Sequence, residues 1–388
     1  MENENSDIRL GGSKTYSVAD GLSLRSIKKD DTWGEFDEDW GFRVWDIPKE
    51  FRTKEKYENF LLAKKEEKEK KLILNSKPYN IVIEPTNICN LHCPLCSTGI
   101  GAETRKKGSF TYENFKKIID QVKDSVLELW LQNWGEPTLV KELPKMINYA
   151  STKKVFTLLS SNFSVNYSDE YLEEFIKSGL GKLQISLDGT TQEIYEKYRI
   201  NGNIETVFSN IKKAIKIKKE NNLKYPLIQT RMIVSKYNEH KIDEFRRISR
   251  ELEVDEMELG NLQLNPNTAK NWLPKNKEFV YESLIGERSK NPCSWPWSGF
   301  TINWDGGISP CCIVDDENSD FGNVFEKDLM TIWNNEYFVS ARSEFSDIKK
   351  ISKTTICNIC KNDTHNPNLL RIGDTFSITM NPNVKTKT

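Results

Sequence analysis

Cys89, Cys93 and Cys96 stand in a C-x3-C-x2-C spacing within the stretch YNIVIEPTNICNLHCPLCSTG, residues 79–99. Three thiolates on one tight loop suit two metal chemistries. They can ligate three irons of a [4Fe–4S] cube, one cysteine per iron, leaving the fourth iron open to bind and reduce a ligand. They can also join a fourth donor in a zinc knuckle, for which His92 is the candidate. A histidine directly beside Cys93 is poorly placed to join it on one tetrahedral metal. The other five cysteines are Cys293, Cys311, Cys312, Cys357 and Cys360, so the eight divide into two candidate metal sites. Disulfide frameworks belong to small secreted chains, and a chain of 388 residues is not one.

The elements that must position these cysteines are readable from periodicity. Ile81-Val82-Ile83 is a β-branched run that reads as a buried strand, ended by Pro85, Thr86 and Asn87. Helical spacing follows over Tyr112–Val122, Leu143–Ala150, Tyr171–Lys177, Ile204–Lys219 and Lys241–Leu252. Between these lie extended stretches at Leu127–Leu131, Val155–Leu159, Leu183–Leu187, Leu227–Val234 and Met257–Leu264. Six short β/α units argue for parallel strands with crossover helices over residues 76–265.

Residues 1–75 form an N-terminal arm in which Trp33–Phe42 mixes aromatic and acidic residues without a period. Its aromatics are expected to pack on the following domain; the functional alternative is a lid or substrate-recognition arm. Lys54–Lys71 reads as a Lys/Glu-rich helix with a solvated charged face. Residues 266–290 are rich in Asn, Lys and Pro and read as a linker; 291–365 turn to Trp, Pro, Gly and Cys and begin a second domain; 366–388 read as a loosely ordered tail. A net charge of −1 gives no global attraction to nucleic acid. No apolar run approaches the roughly 20 residues that span a bilayer, and the polar start MENENSDIRLGGSK lacks a secretion signal, so the expected location is cytoplasmic.

The triplet after a first strand resembles the cluster loop of the radical S-adenosylmethionine (SAM) enzymes. The resemblance implies an α/β fold, a partial (β/α)6 barrel with a small C-terminal cysteine-rich α+β domain. It implies a [4Fe–4S] cluster on Cys89, Cys93 and Cys96 whose open iron chelates SAM. Asn133-Trp134-Gly135-Glu136-Pro137 resembles the family's Gly-Glu-Pro turn, whose backbone receives the SAM amino group, although many relatives have a second glycine where Trp134 stands. Ser160-Ser161-Asn162 resembles its Thr-Asn-Gly turn, and Ser186-Leu187-Asp188-Gly189 its Ser-x-Asp-Gly segment. Ser186 and Arg199 fall at positions that commonly contact the ribose and carboxylate of SAM. Arg231–Glu239 matches a stretch that flanks the adenine. Thr190 and Thr191 also suit a plain helix cap.

The second cysteine group, with an Asp305-Gly306 hairpin signal inside it, resembles the SPASM auxiliary-cluster domain in its single-cluster form. The resemblance implies a second [4Fe–4S] cluster on Cys293, Cys311, Cys357 and Cys360. Structural zinc is the competing reading of paired C-x2-C motifs. Cys312 is left over, either as a small buried hydrophobe or as a hydrogen-atom donor to a substrate radical. The spacing is closest to aminocyclitol and aminoglycoside dehydrogenases and epimerases, so the expected substrate is a sugar, aminocyclitol or nucleotide-sugar. The alternatives are a peptide-modifying maturase and a non-catalytic iron–sulfur or zinc module. An electron donor such as flavodoxin or ferredoxin is implied as partner.

Overall fold

The computed structural model describes residues 14–17, 47–261, 271–279, 293–348, 352–362, 371–372 and 375–376. The aromatic–acidic stretch 33–42 and most of the linker and tail lie outside the described residues. The order of elements is β1 (Lys14–Ser17), α1 (Lys54–Lys68), β2 (Asn80–Ile83), α2 (Tyr112–Val122), β3 (Glu128–Leu131), α3 (Leu143–Thr152) and β4 (Phe156–Ser161). There follow α4 (Asp169–Ile176), β5 (Lys182–Ser186), α5 (Gln192–Tyr198), α6 (Ile204–Glu220), β6 (Leu227–Val234), α7 (Ile242–Glu251) and β7 (Glu256–Asn261). The C-terminal part holds α8 (Trp295–Ser298), β8 (Gly299–Ile302), β9 (Ile308–Ser309), α9 (Leu329–Trp333), α10 (Glu336–Glu344) and α11 (Ile356–Asn362). The expected α/β class is the observed one. The chain forms two compact units: residues 48–159 with 178–180 and 288–388, and residues 1–47 with 160–177 and 181–287.

In the unit that holds all eight cysteines, β2, β3 and β4 run parallel, Val82 opposite Trp130 and Trp130 opposite Leu158. β8 extends this sheet on the far side of β2, also parallel, with Asn80 opposite Gly299 and Ile83 opposite Ile302. Gly299 is demanded there, since a Cβ would lie 1.5 Å from the Asn80 carbonyl oxygen. The Asp-Gly hairpin forms as expected: β9 turns back on β8 and Gly306 takes a φ of 85°. α2 begins where the Thr111 side chain accepts the Asn114 N–H at 3.2 Å, and it buries Phe115, Ile118, Ile119 and Val122 as one stripe.

The Lys/Glu helix keeps its expected solvated face, with Lys54–Glu58 and Lys65–Glu69 as exposed i,i+4 pairs, but some of its charges turn inward. Lys56 is buried and its ammonium donates to the Phe51 carbonyl at 3.2 Å and to that of Lys154. Burial lowers the Lys56 pKa to about 8. Glu66 is buried too, accepting the N–H groups of Asn75 and Ser76, each at 3.0 Å. These charges dock α1, a role that i,i+4 charge patterning cannot distinguish from solvation.

In the other unit β5, β6 and β7 are parallel and β1 adds antiparallel to β7. Leu183, Ile185, Ile228 and Met232 line the face where Thr230 Oγ1 meets Ser249 Oγ of α7 at 2.9 Å. The opposite face is polar: Lys182 pairs with Glu256 at 2.7 Å, Gln184 donates to Gln229 at 2.7 Å, and Arg231 lies 3.2 Å from Glu258.

Arg342 anchors the C-terminal helices to the cysteine-bearing unit. It is fully buried, over the ring of Trp333, and donates to the carbonyls of Leu72 (2.9 Å), Pro296 (2.8 Å) and Trp333 (2.7 Å). Burial lowers its pKa to about 9. Removing the fork strands three carbonyls, so Arg342→Ala is expected to lose about 3–5 kcal/mol. Arg342→Lys, a point charge without the planar fork, is expected to recover little of it. Denaturant titration of the purified variants measures both.

Candidate functional site

The cysteine loop leaves β2 at Glu84 and returns at Thr111, a long excursion whose base is zipped by two side chains. Thr86 Oγ1 donates to the Gly108 carbonyl at 2.7 Å, and Asn87 bonds the Lys106 carbonyl and Gly108 N–H at 2.9 and 3.0 Å. At its tip Cys93 is buried and Cys89 and Cys96 are half-buried. The chain folds tightly over them: Cys96 N–H bonds the Cys93 carbonyl, Ile100 N–H bonds that of Cys96, and Leu91 N–H approaches Cys89 Sγ at 3.4 Å. A Cβ on Gly99 would lie 2.3 Å from the Cys93 carbonyl oxygen, so only glycine permits this fold-over.

Burial pushes the thiol of Cys89 up to about 12 and that of Cys96 to about 11, with each thiol also opposed by its neighbours' charge. Such thiols shed their protons only to a metal that supplies the compensating charge. His92 is exposed while Cys93 is buried, which does not favour the zinc knuckle. Among the described residues no three His, Cys, Asp or Glu side chains converge as ligands of a single ion. Three thiols carried on one loop fit a cube with one open iron.

The Gly-Glu-Pro turn is fastened to the front of this loop. Glu136 N–H bonds the Ile88 carbonyl at 2.9 Å, Trp134 N–H bonds Glu84 Oε2 at 3.2 Å, and the Trp134 carbonyl oxygen lies 4.0 Å from Cys96 Sγ. Gly135 is fixed by proximity: a Cβ would lie 2.0 Å from the Thr86 carbonyl oxygen. Trp134 keeps a negative φ, so the missing second glycine changes no left-handed position. The Glu136 carboxylate is buried and occupied by Thr138, whose N–H and Oγ1 it accepts at 3.1 and 2.6 Å.

In the other unit Asn162 is buried and accepts the Ser164 N–H at 2.8 Å. Phe163 follows at φ 54°, held by Asn210, which donates to the Phe163 and Val165 carbonyls at 3.0 and 2.9 Å. Ser186 ends β5. Asp188 gathers Arg199 Nε and the Ile233 N–H, both at 2.6 Å, while Asn238 donates to the Asp188 carbonyl at 3.0 Å. Arg199 is thus seated by Asp188. Thr191, not Thr190, caps α5, accepting the Ile194 N–H at 3.5 Å.

The second cysteine group gathers within the same unit as the first. α11 presents Cys357 and Cys360 one turn apart, and β9 delivers Cys311 and Cys312. Burial raises the thiols of Cys311 and Cys357 well above their ordinary range; each is also raised by Cys293. Burial pushes Cys293 to about 11, with Cys360 and Cys312 adding to it, and Cys312 to about 11 by burial alone among the raising causes. No cysteine is in a disulfide.

Two elements of this site escaped sequence reading. The first is the tie between the cysteine loop and the C-terminal hairpin. Arg105 donates to both Asp305 oxygens (2.7 and 2.6 Å) and to Asp320 (2.7 Å), Thr104 to Asp316 (3.2 Å), Ser97 to Asp315, and Trp304 Nε1 to the Lys106 carbonyl (2.9 Å). The second is Glu84, a lone acid ending an apolar strand. Its burial raises its pKa from 4.5 to about 7. The folded state therefore binds more protons than the unfolded one between those values, and stability present below about 4.5 is lost as pH rises to about 7. Glu84→Gln removes this proton and is expected to flatten the fall in Tm between about pH 5 and 7, the wild-type slope carrying up to about 1.4 kcal/mol per pH unit from this group.

Residues 83–248 match the family model of the radical SAM superfamily, and residues 293–361 match that of SPASM, an iron–sulfur cluster-binding domain. The chain is 26% identical over 294 residues to the tungsten-containing aldehyde ferredoxin oxidoreductase cofactor-modifying protein of Pyrococcus furiosus, covering 66% of this chain and 81% of that one. It is 27% identical over 187 residues to the PqqA peptide cyclase of Bradyrhizobium diazoefficiens, covering 48% of this chain and 47% of the relative, so it spans about half the length of that protein. In fold it is similar to Streptococcus suis SuiB bound to S-adenosylmethionine, with a TM-score of 0.52 and 16% identity over 73% of this chain and 71% of SuiB. SuiB has also been solved with its precursor peptide SuiA, at TM-score 0.52, 17% identity and coverage of 73% and 70%.

Proposed function

We propose that this chain, a radical SAM enzyme with a SPASM domain, modifies a peptide by abstracting hydrogen from an unactivated C–H bond. The observation that carries the catalytic part is the three-thiol loop with a Gly-Glu-Pro turn fastened to its front within one unit. The peptide is supported by a relative named for peptide cyclisation. It displaces the sugar or aminocyclitol first expected, which rests on the spacing of Cys293, Cys311, Cys357 and Cys360 alone. The sugar-like substrate stays as the second reading on that spacing.

In this reading Cys89, Cys93 and Cys96 hold the SAM-binding [4Fe–4S] cluster, and Cys293, Cys311, Cys357 and Cys360 hold the auxiliary one. The preference for Cys311 over Cys312 follows from its alignment with the SPASM spacing. When bound, the reduced cluster and SAM supply the hydrogen-abstracting radical chemistry. The backbone at Gly135 and Glu136 receives the SAM amino group, while Asn162, Ser186 and Arg199 contribute to the remainder of SAM. The chain's own tasks are to orient SAM and substrate and to exclude water. Cys312 is the candidate hydrogen-atom donor. Flavodoxin or ferredoxin in the cytoplasm is the proposed electron source. Residues 76–265 form the core and 291–365 the auxiliary domain.

Anaerobic reconstitution is expected to give about eight irons per chain, and dithionite with SAM to release 5′-deoxyadenosine. Cys93→Ala is expected to lose about four irons and all SAM cleavage, and Cys357→Ala about four irons with the first cluster retained. Bound zinc, or iron without SAM cleavage, overturns the catalytic reading. Deuterium transfer into 5′-deoxyadenosine from labelled peptides, against labelled aminocyclitols, decides the substrate class. Unchanged product stereochemistry in Cys312→Ala removes that residue's role.

A further inference from the structure

The turn at residues 133–136 belongs to no helix or strand, and its backbone is the part assigned above to the SAM amino group. Two backbone amides fasten it to the cysteine loop. Glu136 N–H finds a main-chain acceptor, the Ile88 carbonyl at 2.9 Å. Trp134 N–H finds a side chain, Glu84 Oε2 at 3.2 Å. Glu84 is the last residue aligned with the sheet, its own N–H bonding the Ile302 carbonyl at 2.9 Å. The next residue, Pro85, cannot donate and bends the chain into the loop. Glu84 is therefore rooted in the sheet while its carboxyl reaches the turn.

The position of that turn is tightly limited. Gly135 lies so close to the Thr86 carbonyl that a Cβ would sit 2.0 Å from its oxygen, and the Trp134 carbonyl oxygen is 4.0 Å from Cys96 Sγ. With tryptophan where many relatives have a second glycine, the peptide plane of Trp134 needs a fixed acceptor for its N–H. Glu84 is 1% exposed, a costly place for an acid unless its hydrogen bond matters.

From this geometry we infer that Glu84 is a positioning residue for SAM: by accepting the Trp134 N–H it sets the Gly135–Glu136 backbone at the spacing from the cysteine loop in which SAM binds. The inference rests on the SAM site proposed above. Leucine at 84 removes the carboxyl acceptor of a part-buried N–H and loosens the turn; glutamine keeps an acceptor oxygen and does not.

The test uses the reconstituted holoenzyme and SAM itself. SAM is titrated calorimetrically onto the oxidised cluster, which does not cleave it, and the EPR spectrum of the dithionite-reduced cluster is recorded with and without SAM. Glu84→Leu, at wild-type iron content, is expected to bind SAM about tenfold more weakly or worse and to lose most of the SAM-induced EPR change. Glu84→Gln is expected to match wild type in both. Should Glu84→Leu fail to load iron, Glu84→Asp, one methylene short of the amide, is expected to show the same loss. Wild-type SAM affinity in an iron-loaded Glu84→Leu or Glu84→Asp overturns the inference, as does a Glu84→Gln as weak as the leucine variant. If the iron-loaded wild type binds no SAM, the proposed site itself fails and the inference with it.

Discussion

Arg105 and its two carboxylates are the constraint on which the cysteine loop depends. The guanidinium is nearly buried between Asp305 of the C-terminal hairpin and Asp320 beyond it. Burial raises the Asp320 carboxyl to about 6 even though Arg105 opposes that rise. A buried ion pair of this kind adds little net stability against a well-packed apolar substitute, but losing one partner strands the others. Its value here is geometric. Gly307, where a Cβ would lie 2.0 Å from Asp320 Oδ2 and 2.8 Å from an Arg105 nitrogen, marks how closely backbone and ions fit. An irregular excursion from residue 84 to 111 has no ladder of its own, so side chains from the hairpin supply what secondary structure does not.

This tie gives the two cysteine groups a common frame. Ser97, next to Cys96, donates to Asp315, three residues beyond Cys312, and Thr104 to Asp316. β8 joins β2 edge to edge, so the strand that launches the first loop is also neighbour to the strand leading to the second group. The C-terminal segment is thus built into the sheet rather than appended to it.

Two backbone positions are held in different ways. Trp134 replaces a glycine at no conformational cost, because its φ is ordinary and Glu84 accepts its N–H. Phe163 does carry a left-handed φ, and its buried ring together with the Asn210 hydrogen bonds holds it there. A neighbouring side chain can thus accept a turn amide or hold a residue against its conformational preference.

The sequence by itself determined what is local. Strands and helices of the six β/α units follow from period and caps, and the Asp305-Gly306 hairpin from turn chemistry, because each is decided within about a dozen residues. The C-x3-C-x2-C spacing narrowed the chemistry to a metal site because ligand spacing on one loop is local too. Only the tertiary structure decided what is separated along the chain. Arg105 meets Asp305 across 200 residues, Trp134 meets Glu84 across 50, and Leu74 meets Asn334 across 260. The inward-turned charges of α1, Lys56, Glu66 and Glu67, were not legible for the same reason: a Lys/Glu pattern records which residues a helix carries, while burial depends on partners that the pattern does not contain. Hydrogen bonds between distant residues are set by the strand pairing that brings them together, and no periodicity in the chain encodes that pairing.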